Sequence, residues 1–140
     1  MIAADQSSFQ LKDQRSVVER LRYFDADGAI RSQHAELHAI VSPHFEAPVR
    51  NFWAFLARCP ECSQLTQLLT PEVVNRRVAA DIEYLNAKFG RTFADEWIVL
   101  AARRMAEADA AGLTQHVVIA GLTMLNPDLV ALVRAAVGGD

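Results

Sequence analysis

The stretch from Thr70 to Gly90, TPEVVNRRVAADIEYLNAKFG, decides the fold class of this chain. Thr70 is a favoured N-cap residue, Pro71 suits the first helical position, and Glu72 places an acidic group in the first turn. Gly90 supplies the residue type that most often ends a helix. Elsewhere, apolar residues recur with helical spacing, and no convincing run of alternating β-branched residues occurs. The sequence therefore predicts an all-α protein with a long helix from Pro71 to Phe89.

Further helices are predicted on both sides of this stretch. Capping residues, prolines and glycines separate apolar segments that have the spacing of helices buried on one face. A turn at Asp25 to Gly28 follows a lead-in helix, and a later helix starts at Ser42-Pro43 or at Pro48. Asn126-Pro127 divides the closing segment into a pair of short helices. The predicted helices are Phe9 to Leu21, Ile30 to Val41, one that runs toward Ala57, a short one from Cys59-Pro60 to Leu69, Phe93 to Ala111, Thr114 to Leu125 and Pro127 to Val137.

Length and composition limit the class of protein. A chain of 140 residues predicts a single domain over 1–140, with an N-terminal helix and turn over about 1–28 and a helical core over 29–137. The formal charge of −3 gives no electrostatic attraction for nucleic acid. No apolar run reaches the roughly 18 to 20 residues of a membrane span, and the N-terminus lacks the features of a signal peptide. We therefore expect a cytoplasmic protein without nucleic-acid or membrane partners.

The turn at Asp25 to Gly28 has some offsets of a calcium-binding EF-hand loop. Asp25, Asp27 and Gly28 fall at matching positions of such a loop. However, Tyr23 stands where the first ligand belongs, and His34 stands where the twelfth-position glutamate belongs. We therefore interpret this segment as a plain turn.

Cys59-Pro60-Glu61-Cys62 has a spacing that lets two thiolates hold one metal or close a small disulfide. Zinc needs four ligands, so histidines such as His44 would have to be brought in by the fold. The Cys-Pro pair is also similar to short motifs that bind haem reversibly, and a first-turn position for Cys62 lowers a thiol pKa. The favoured interpretation is a helix start with two small, half-buried side chains. With two cysteines in the whole chain, no disulfide framework holds the fold together.

The histidines do not form a recognisable site. His34 and His38 are four residues apart, as two helical metal ligands would be, but nothing supplies a third ligand. We predict that these two are packed or solvated and that His116, beside the apolar Val117, is a boundary residue. No nucleophile with its base, paired carboxylates or glycine-rich phosphate loop is recognisable. The sequence therefore predicts neither an enzyme nor a metal site.

Three blocks of sequence follow the order and spacing of a known family. Asn51-Phe52-Trp53 stands where that family has a Phe-Tyr pair, and Thr70 to Gly90 matches its long distal helix. Asp95-Glu96-Trp97-Ile98 to Gly112-Leu113 matches its proximal helix. The segment Leu37 to Leu122 thus resembles the protoglobin-like sensor globin of globin-coupled sensors, which include aerotaxis transducers and globin-linked diguanylate cyclases. The resemblance implies a globin-like fold and a role in bacterial signal transduction.

Three departures from the family pattern bear on function. Ala108, four residues before Gly112, stands where the family has the proximal histidine, and Trp53 stands where it has the distal tyrosine. A haem iron needs an axial donor, and alanine offers none. The family also continues with two long helices, whereas 28 residues follow Gly112 here (140 − 112) and Pro127 divides them. Either the last helix is short or the domain extends past residue 140.

These departures predict a haem-free domain whose vestigial cofactor pocket is filled. A tryptophan is large enough to occupy much of the space that a porphyrin leaves. The alternative to filling is a pocket that holds a small apolar ligand. The other alternative is a haem-binding oxygen or gas sensor with His116, Met105 or Cys59 as its axial ligand. The predicted pocket residues are Phe52, Trp53, Leu85, Met105 and Ala108.

The closing pair of helices carries more apolar side chains than one face of two short helices buries. In the family these helices build a dimeric four-helix bundle, so the resemblance implies a homodimer. The predicted function is a non-catalytic sensory or regulatory domain that signals through this interface to an output domain or partner protein. The alternatives are that the excess fills the monomer core, or that the chain is a stand-alone adaptor. The predicted interface residues are Val118, Leu122, Leu125, Leu129 and Val133.

Overall fold

The computed structural model describes residues 17–138, except for the side chains of Val17, Val18, Gln64, Gln115, Val118 and Leu122. Within this range the chain forms α-helices joined by short 3-10 turns and contains no strand, so the all-α prediction is confirmed. The predicted residues 9–16 of the lead-in helix lie outside the described range. The helices are α1 Val17–Arg22, α2 Ala29–Val41, α3 Glu46–Arg58, α4 Ser63–Thr66, α5 Pro71–Gly90, α6 Asp95–Ala110 and α7 Gln115–Val137.

The local signals at the starts of α2 and α5 act as the sequence predicts. The Thr70 hydroxyl accepts a hydrogen bond from the backbone N–H of Val73 at 3.3 Å, which caps α5. Gly28 precedes α2 with a φ of 74°, a left-handed conformation that suits glycine. The Asp25 carboxylate accepts hydrogen bonds from the backbone N–H groups of Ile30 at 2.7 Å and Arg31 at 3.1 Å. Asp25 is thus a structural cap, and the prediction of a plain turn is confirmed.

The prolines before α3 do not start that helix as the sequence predicts. Pro43 lies in the 3-10 turn Ser42–His44, and α3 begins afterwards at Glu46. Pro48 lies inside the first turn of α3, where the backbone N–H groups have no intrahelical acceptor. Its missing N–H therefore removes no hydrogen bond, and both predicted starting points are wrong by a few residues.

The predicted division of the closing segment is also wrong, because α7 continues through Pro127. Proline removes the hydrogen bond to the carbonyl of the residue four positions earlier, here Thr123. Thr123 and Pro127 are both exposed, so water reaches the carbonyl that is left without its helical donor. Leu125 and Leu129, on either side of the proline, pack toward the interior. The cost of the proline is therefore small compared with the packing that keeps α7 in one piece.

The apolar core lies among α2, α3, α5 and α7, whereas α6 packs on α5. Phe45, Val49 and Leu56 are almost fully buried at its centre. A side chain at Gly121 would overlap the ring of Phe52, so this glycine lets α7 approach α3 closely. The buried core cluster comprises Val41, Phe45, Val49, Trp53, Leu56, Cys62, Val78, Leu85 and Val117.

The stretch Ile119–Val137 of α7 is long and apolar enough to cross a membrane by length and composition, with a mean hydropathy of 1.3. The sequence-based expectation did not identify this stretch, because Asn126, Asp128 and Arg134 interrupt its run of apolar residues. Core helices that are buried in a protein pass the same test. Only 6% of this stretch is buried in the described part of the protein. The absence of a membrane partner therefore stays a prediction.

Candidate functional site

The predicted pocket between α5 and α6 contains a hydrogen-bonded group of side chains from three helices. Trp53 on α3 donates its indole N–H to Oδ2 of Asp81 on α5, at 2.7 Å. Arg104 on α6 donates from its guanidinium to Oδ1 of the same carboxylate. The two oxygens of Asp81 are therefore shared between an indole and a guanidinium, and the carboxylate connects α3 to α6.

A second carboxylate extends this group along the contact between α5 and α6. Oε2 of Glu107 accepts from Nη1 of Arg104 at 2.6 Å and from Nη1 of Arg77, on α5, at 2.8 Å. Arg104 is 19% exposed and Asp81 is 16% exposed at their side chains, so most of the ionic contact is shielded from water. We call Trp53, Asp81, Arg104, Glu107 and Arg77 the polar seam.

The carboxyl of Asp81 is under opposing electrostatic influences. Burial disfavours its charged form, while the guanidinium of Arg104, the indole N–H of Trp53 and the charge of Arg77 favour it. Burial outweighs the other effects, so the pKa of Asp81 is raised above its ordinary value. A carboxylate in this position depends on its partners, because each removed donor leaves charge without compensation.

The structure brings together some of the predicted pocket residues and separates others. Trp53 and Leu85 are buried in the same core cluster. Phe52 is half-buried with its ring 5.6 Å from that of Trp53 in an edge-on arrangement. Ala108 is half-buried one turn after Arg104 on α6. Met105 is 70% exposed, so the expectation that it fills the pocket is wrong.

Met105 points outward because only one narrow side of α6 packs against the other described helices. Leu100 is the one buried residue of that helix. Arg104 and Glu107 lie one helical turn apart on the side of α6 that faces α5, and each pairs with a side chain of α5. Met105 follows Arg104 directly, so a rotation of about 100° carries it away from the contact.

Sequence analysis missed the charged members of the polar seam. Asp81 lies three residues after Val78 and four before Leu85, both of which are buried on α5. An acidic residue at that spacing falls on the apolar face of the helix, and this position could have identified Asp81 from the sequence. The residues around Asp81 do not indicate that its partner is Arg104, which lies on another helix.

The predicted dimer-interface residues lie mainly against the monomer core. Leu125 is buried, and Leu129 and Val133 are half-buried against the core cluster. Helical spacing places these three on the inner side of α7, where they pack against the core of the same chain. The side chains of Val118 and Leu122 lie outside the described set. The large apolar side chains that α7 does expose are Ile119, Met124, Val130 and Val137.

A cleft of about 220 Å³ lies where the turn after α3 meets the loop between α6 and α7. Glu61 and His116 stand beside it, with Oε2 of Glu61 at 2.5 Å from Nε2 of His116. Both side chains are more than half exposed, so this pair is a surface contact. The lining residues are Glu61, Cys62, Ser63, Leu65, Ala111, Gly112, Leu113, Thr114 and Val117.

The remaining candidate ligands do not converge on a metal site. Among residues 17–138, no group of three or more His, Cys, Asp or Glu side chains is placed to hold a metal ion. His34 contacts the hydroxyl of Thr92 at 2.9 Å, and His38 contacts the side-chain oxygen of Asn86 at 2.8 Å. His34 and His38 are therefore half-buried residues, each in contact with a polar side chain near the end of α5.

Comparisons with known proteins give no match to this chain. No model of a protein family matches it, and no curated protein or solved structure matches it either.

Proposed function

We propose that this chain is a non-catalytic, globin-like sensory or regulatory domain of bacterial signal transduction that works without haem. The observation that carries the proposal is the polar seam between α5 and α6, the helices that resemble the distal and proximal helices of a sensor globin. Trp53 and Asp81 meet at 2.7 Å in the space where a cofactor would lie. Ala108, at the position of the proximal histidine, offers no axial donor.

The energetics of the seam favour a closed pocket over a vacant one. A haem between α5 and α6 would separate Asp81 from Arg104 and leave a buried carboxylate without its guanidinium. Breaking a buried ion pair in this way costs about 3 kcal/mol or more. The three side chains offered as alternative axial ligands do not favour haem either. Met105 is 70% exposed, His116 contacts Glu61, and Cys59 lies in the turn after α3.

The signalling interface in this proposal is the outer side of α7, in a homodimer. Ile119, Val130 and Val137 are separated by 11 and 7 residues, so they form one stripe along the helix. Their side chains are 55%, 48% and 69% exposed, respectively. Burial of such a stripe against a second copy removes apolar surface from water without disturbing the inner side of α7. This outer stripe replaces the inner side chains predicted from the sequence.

Absorbance spectroscopy tests the haem-free part of the proposal. The purified protein is titrated with haemin, and we expect no stoichiometric Soret band. Ala108→His is the informative second variant, since it restores an axial donor and leaves the polar seam intact. We expect this variant to remain free of haem as well, because the seam fills the space. A stoichiometric band in the unmodified protein contradicts the proposal and supports a gas-sensing globin with an unusual ligand.

Light scattering at micromolar concentration tests the interface. We expect a dimer that Val130→Asp converts to a monomer, because a carboxylate in the apolar stripe is costly to bury. Ala79→Asp introduces the same charge on the exposed side of α5 and is expected to leave the dimer intact. A monomeric unmodified protein refutes the homodimer, and an apolar surface that persists in that monomer favours a stand-alone adaptor.

A further inference from the structure

Cys59 and Cys62 stand at the two ends of one tight turn after α3. Cys59 has an extended backbone, with φ −71° and ψ 120°, and Pro60 opens the 3-10 turn Pro60–Cys62. The backbone N–H of Cys62 donates to the carbonyl of Cys59 at 3.0 Å. A four-residue turn with this bond holds its end Cα atoms less than about 7 Å apart. Disulfides join Cα atoms that are roughly 4.4 to 6.8 Å apart, so the backbone is already suited to a bond between the two sulfurs.

The two thiols differ in their access to solvent. Both cysteines are free, and Cys59 is half-buried whereas Cys62 is 4% exposed within the core cluster. Burial, the interaction with Cys59 and the charge of Glu61 raise the pKa of the Cys62 thiol to about 11. The lowered pKa expected from a first-turn position is therefore wrong, because burial outweighs the helix terminus. A small oxidant therefore reaches Cys59 first, while Cys62 remains a protonated thiol at the other end of the same turn.

We propose that Cys59 and Cys62 are a redox modification site that closes into a reversible intramolecular disulfide when a peroxide oxidises Cys59. The Cys59 thiol loses its proton, the thiolate attacks one peroxide oxygen and the O–O bond breaks. The released hydroxide takes up a proton, so that one sulfenic acid and one water form. The sulfur of Cys62 then attacks the sulfenic sulfur, the S–O bond breaks, and its proton leaves with the hydroxyl as a second water. Two thiols and one hydrogen peroxide thus give one disulfide and two waters, and a dithiol reductant reverses the reaction.

The position of Cys62 connects this reaction to the start of α7. Cys62 and Val117 both belong to the core cluster and both line the cleft beside the α6–α7 loop. Formation of the disulfide draws the Cys62 sulfur toward Cys59 and away from its apolar neighbours. The bond therefore changes the packing at the cleft, whatever the oligomeric state or haem content of the protein.

Intact-mass spectrometry of the full chain tests the proposal. Brief treatment with a few equivalents of hydrogen peroxide is expected to lower the mass by roughly 2 Da and to remove both titratable thiols. Dithiothreitol is expected to restore both thiols and the original mass. Peptide mapping without reduction is expected to place the cross-link between Cys59 and Cys62. Two thiols that persist, or a product that gains oxygen or links two chains, overturns the proposal.

Two cysteine variants test the order of the reaction. Cys62→Ala keeps an apolar group in the core and removes the resolving thiol, so the sulfenic acid on Cys59 is expected to persist and to react with dimedone. Cys59→Ala leaves the buried thiol alone, and we expect at least a tenfold slower loss of that thiol to peroxide. Circular dichroism checks that each variant keeps its helical content. Equal rates in the two folded variants contradict the assignment of Cys59 as the first thiol to react.

Discussion

Helix α5 is held by two kinds of contact that lie on different sides of it. Toward α2 and α3 its buried side chains are mainly apolar, with Val78 and Leu85 in the same core cluster as Leu56. Asn86 also contacts His38 of α2 on this side. Toward α6 it is held by the polar seam, in which Asp81 and Arg104 are each less than one-fifth exposed. The apolar packing of the first contact tolerates changes of similar volume. The second contact is lost when one charge is removed, because the partner charge is then unpaired at a position that water reaches poorly.

The difference teaches what α6 contributes to the protein. An apolar contact yields stability in proportion to the area removed from water. A buried ion pair contributes little net stability, because the desolvation of both charges offsets their attraction. The polar seam therefore fixes the position of α6 more than it stabilises the fold. That role fits our proposal, in which α6 keeps the position of a proximal globin helix although the cofactor has been lost.

Leu56→Ala tests the apolar side of the comparison and has the largest expected effect. Leu56 is fully buried, so its truncation leaves a cavity among α3, α5 and α7. We expect the free energy of unfolding to fall by about 3 to 4 kcal/mol, measured by urea denaturation. Leu68→Ala is the matched control, since Leu68 is 65% exposed, and its effect is expected to stay within about 0.5 kcal/mol. Similar decreases in the free energy of unfolding for both variants would contradict the placement of Leu56 in the core and of Leu68 at the surface.

Arg104→Ala tests the polar seam and has the next largest expected effect. It leaves Asp81 and Glu107 without their shared guanidinium. We expect the free energy of unfolding, measured by urea denaturation, to fall by about 3 kcal/mol at neutral pH. Arg103→Ala, at an exposed position of the same helix, is the control and is expected to change stability by less than about 0.5 kcal/mol.

Replacement of both partners sharpens the comparison between the two contacts. In the double variant Asp81→Leu with Arg104→Met, no charge is left without a partner. We expect urea denaturation to show that most of the stability lost in Arg104→Ala is recovered. A double variant that is as unstable as Arg104→Ala would mean that the charges themselves, and not only their pairing, hold α6 in place.

Two buried aspartates give a smaller, pH-dependent test. The pKa of Asp81 is raised by burial against the pull of Arg104, so its ionisation weakens the folded state as the pH rises from its ordinary 3.8 through the raised pKa. Burial also acts on Asp25, but the backbone N–H groups of Ile30 and Arg31 and the guanidinium of Arg31 outweigh it, and the pKa of Asp25 is lowered. Asp25 therefore stabilises the fold above 3.8, and this stabilisation is lost as the pH falls through the lowered pKa.

Urea denaturation of Asp81→Asn and Asp25→Asn at several pH values separates these two contributions. Relative to the unmodified protein, Asp81→Asn is expected to become more stable as the pH rises from about 3 to about 7. Asp25→Asn is expected to become relatively less stable over the same range. Parallel curves for the two variants would contradict the opposite shifts of the two pKa values.

Some of the fold follows from short segments, because capping and turn formation involve neighbouring residues. Thr70 caps α5 as predicted, and the turn at Asp25 to Gly28 precedes α2 as predicted. Gly90 is the last residue of α5 and not the stop after Phe89, since the C-cap is Arg91. Pro127 misled the prediction, since a proline breaks a helix unless tertiary packing holds both sides in place. The candidate site was anticipated only through Trp53, because a partner such as Arg104 leaves no trace in the sequence around Asp81.

The sequence by itself determined the all-α class and most of the helix limits. These properties depend on backbone hydrogen bonds between residues three and four apart, which N-caps, glycines and helical spacing record locally. Only the tertiary structure decided that α7 is continuous, that its inner side packs on the core, and that Asp81 meets Arg104 from another helix. Those outcomes depend on which faces meet after the chain has folded, because a buried charge or an interrupted helix is stable only when its neighbours compensate for it.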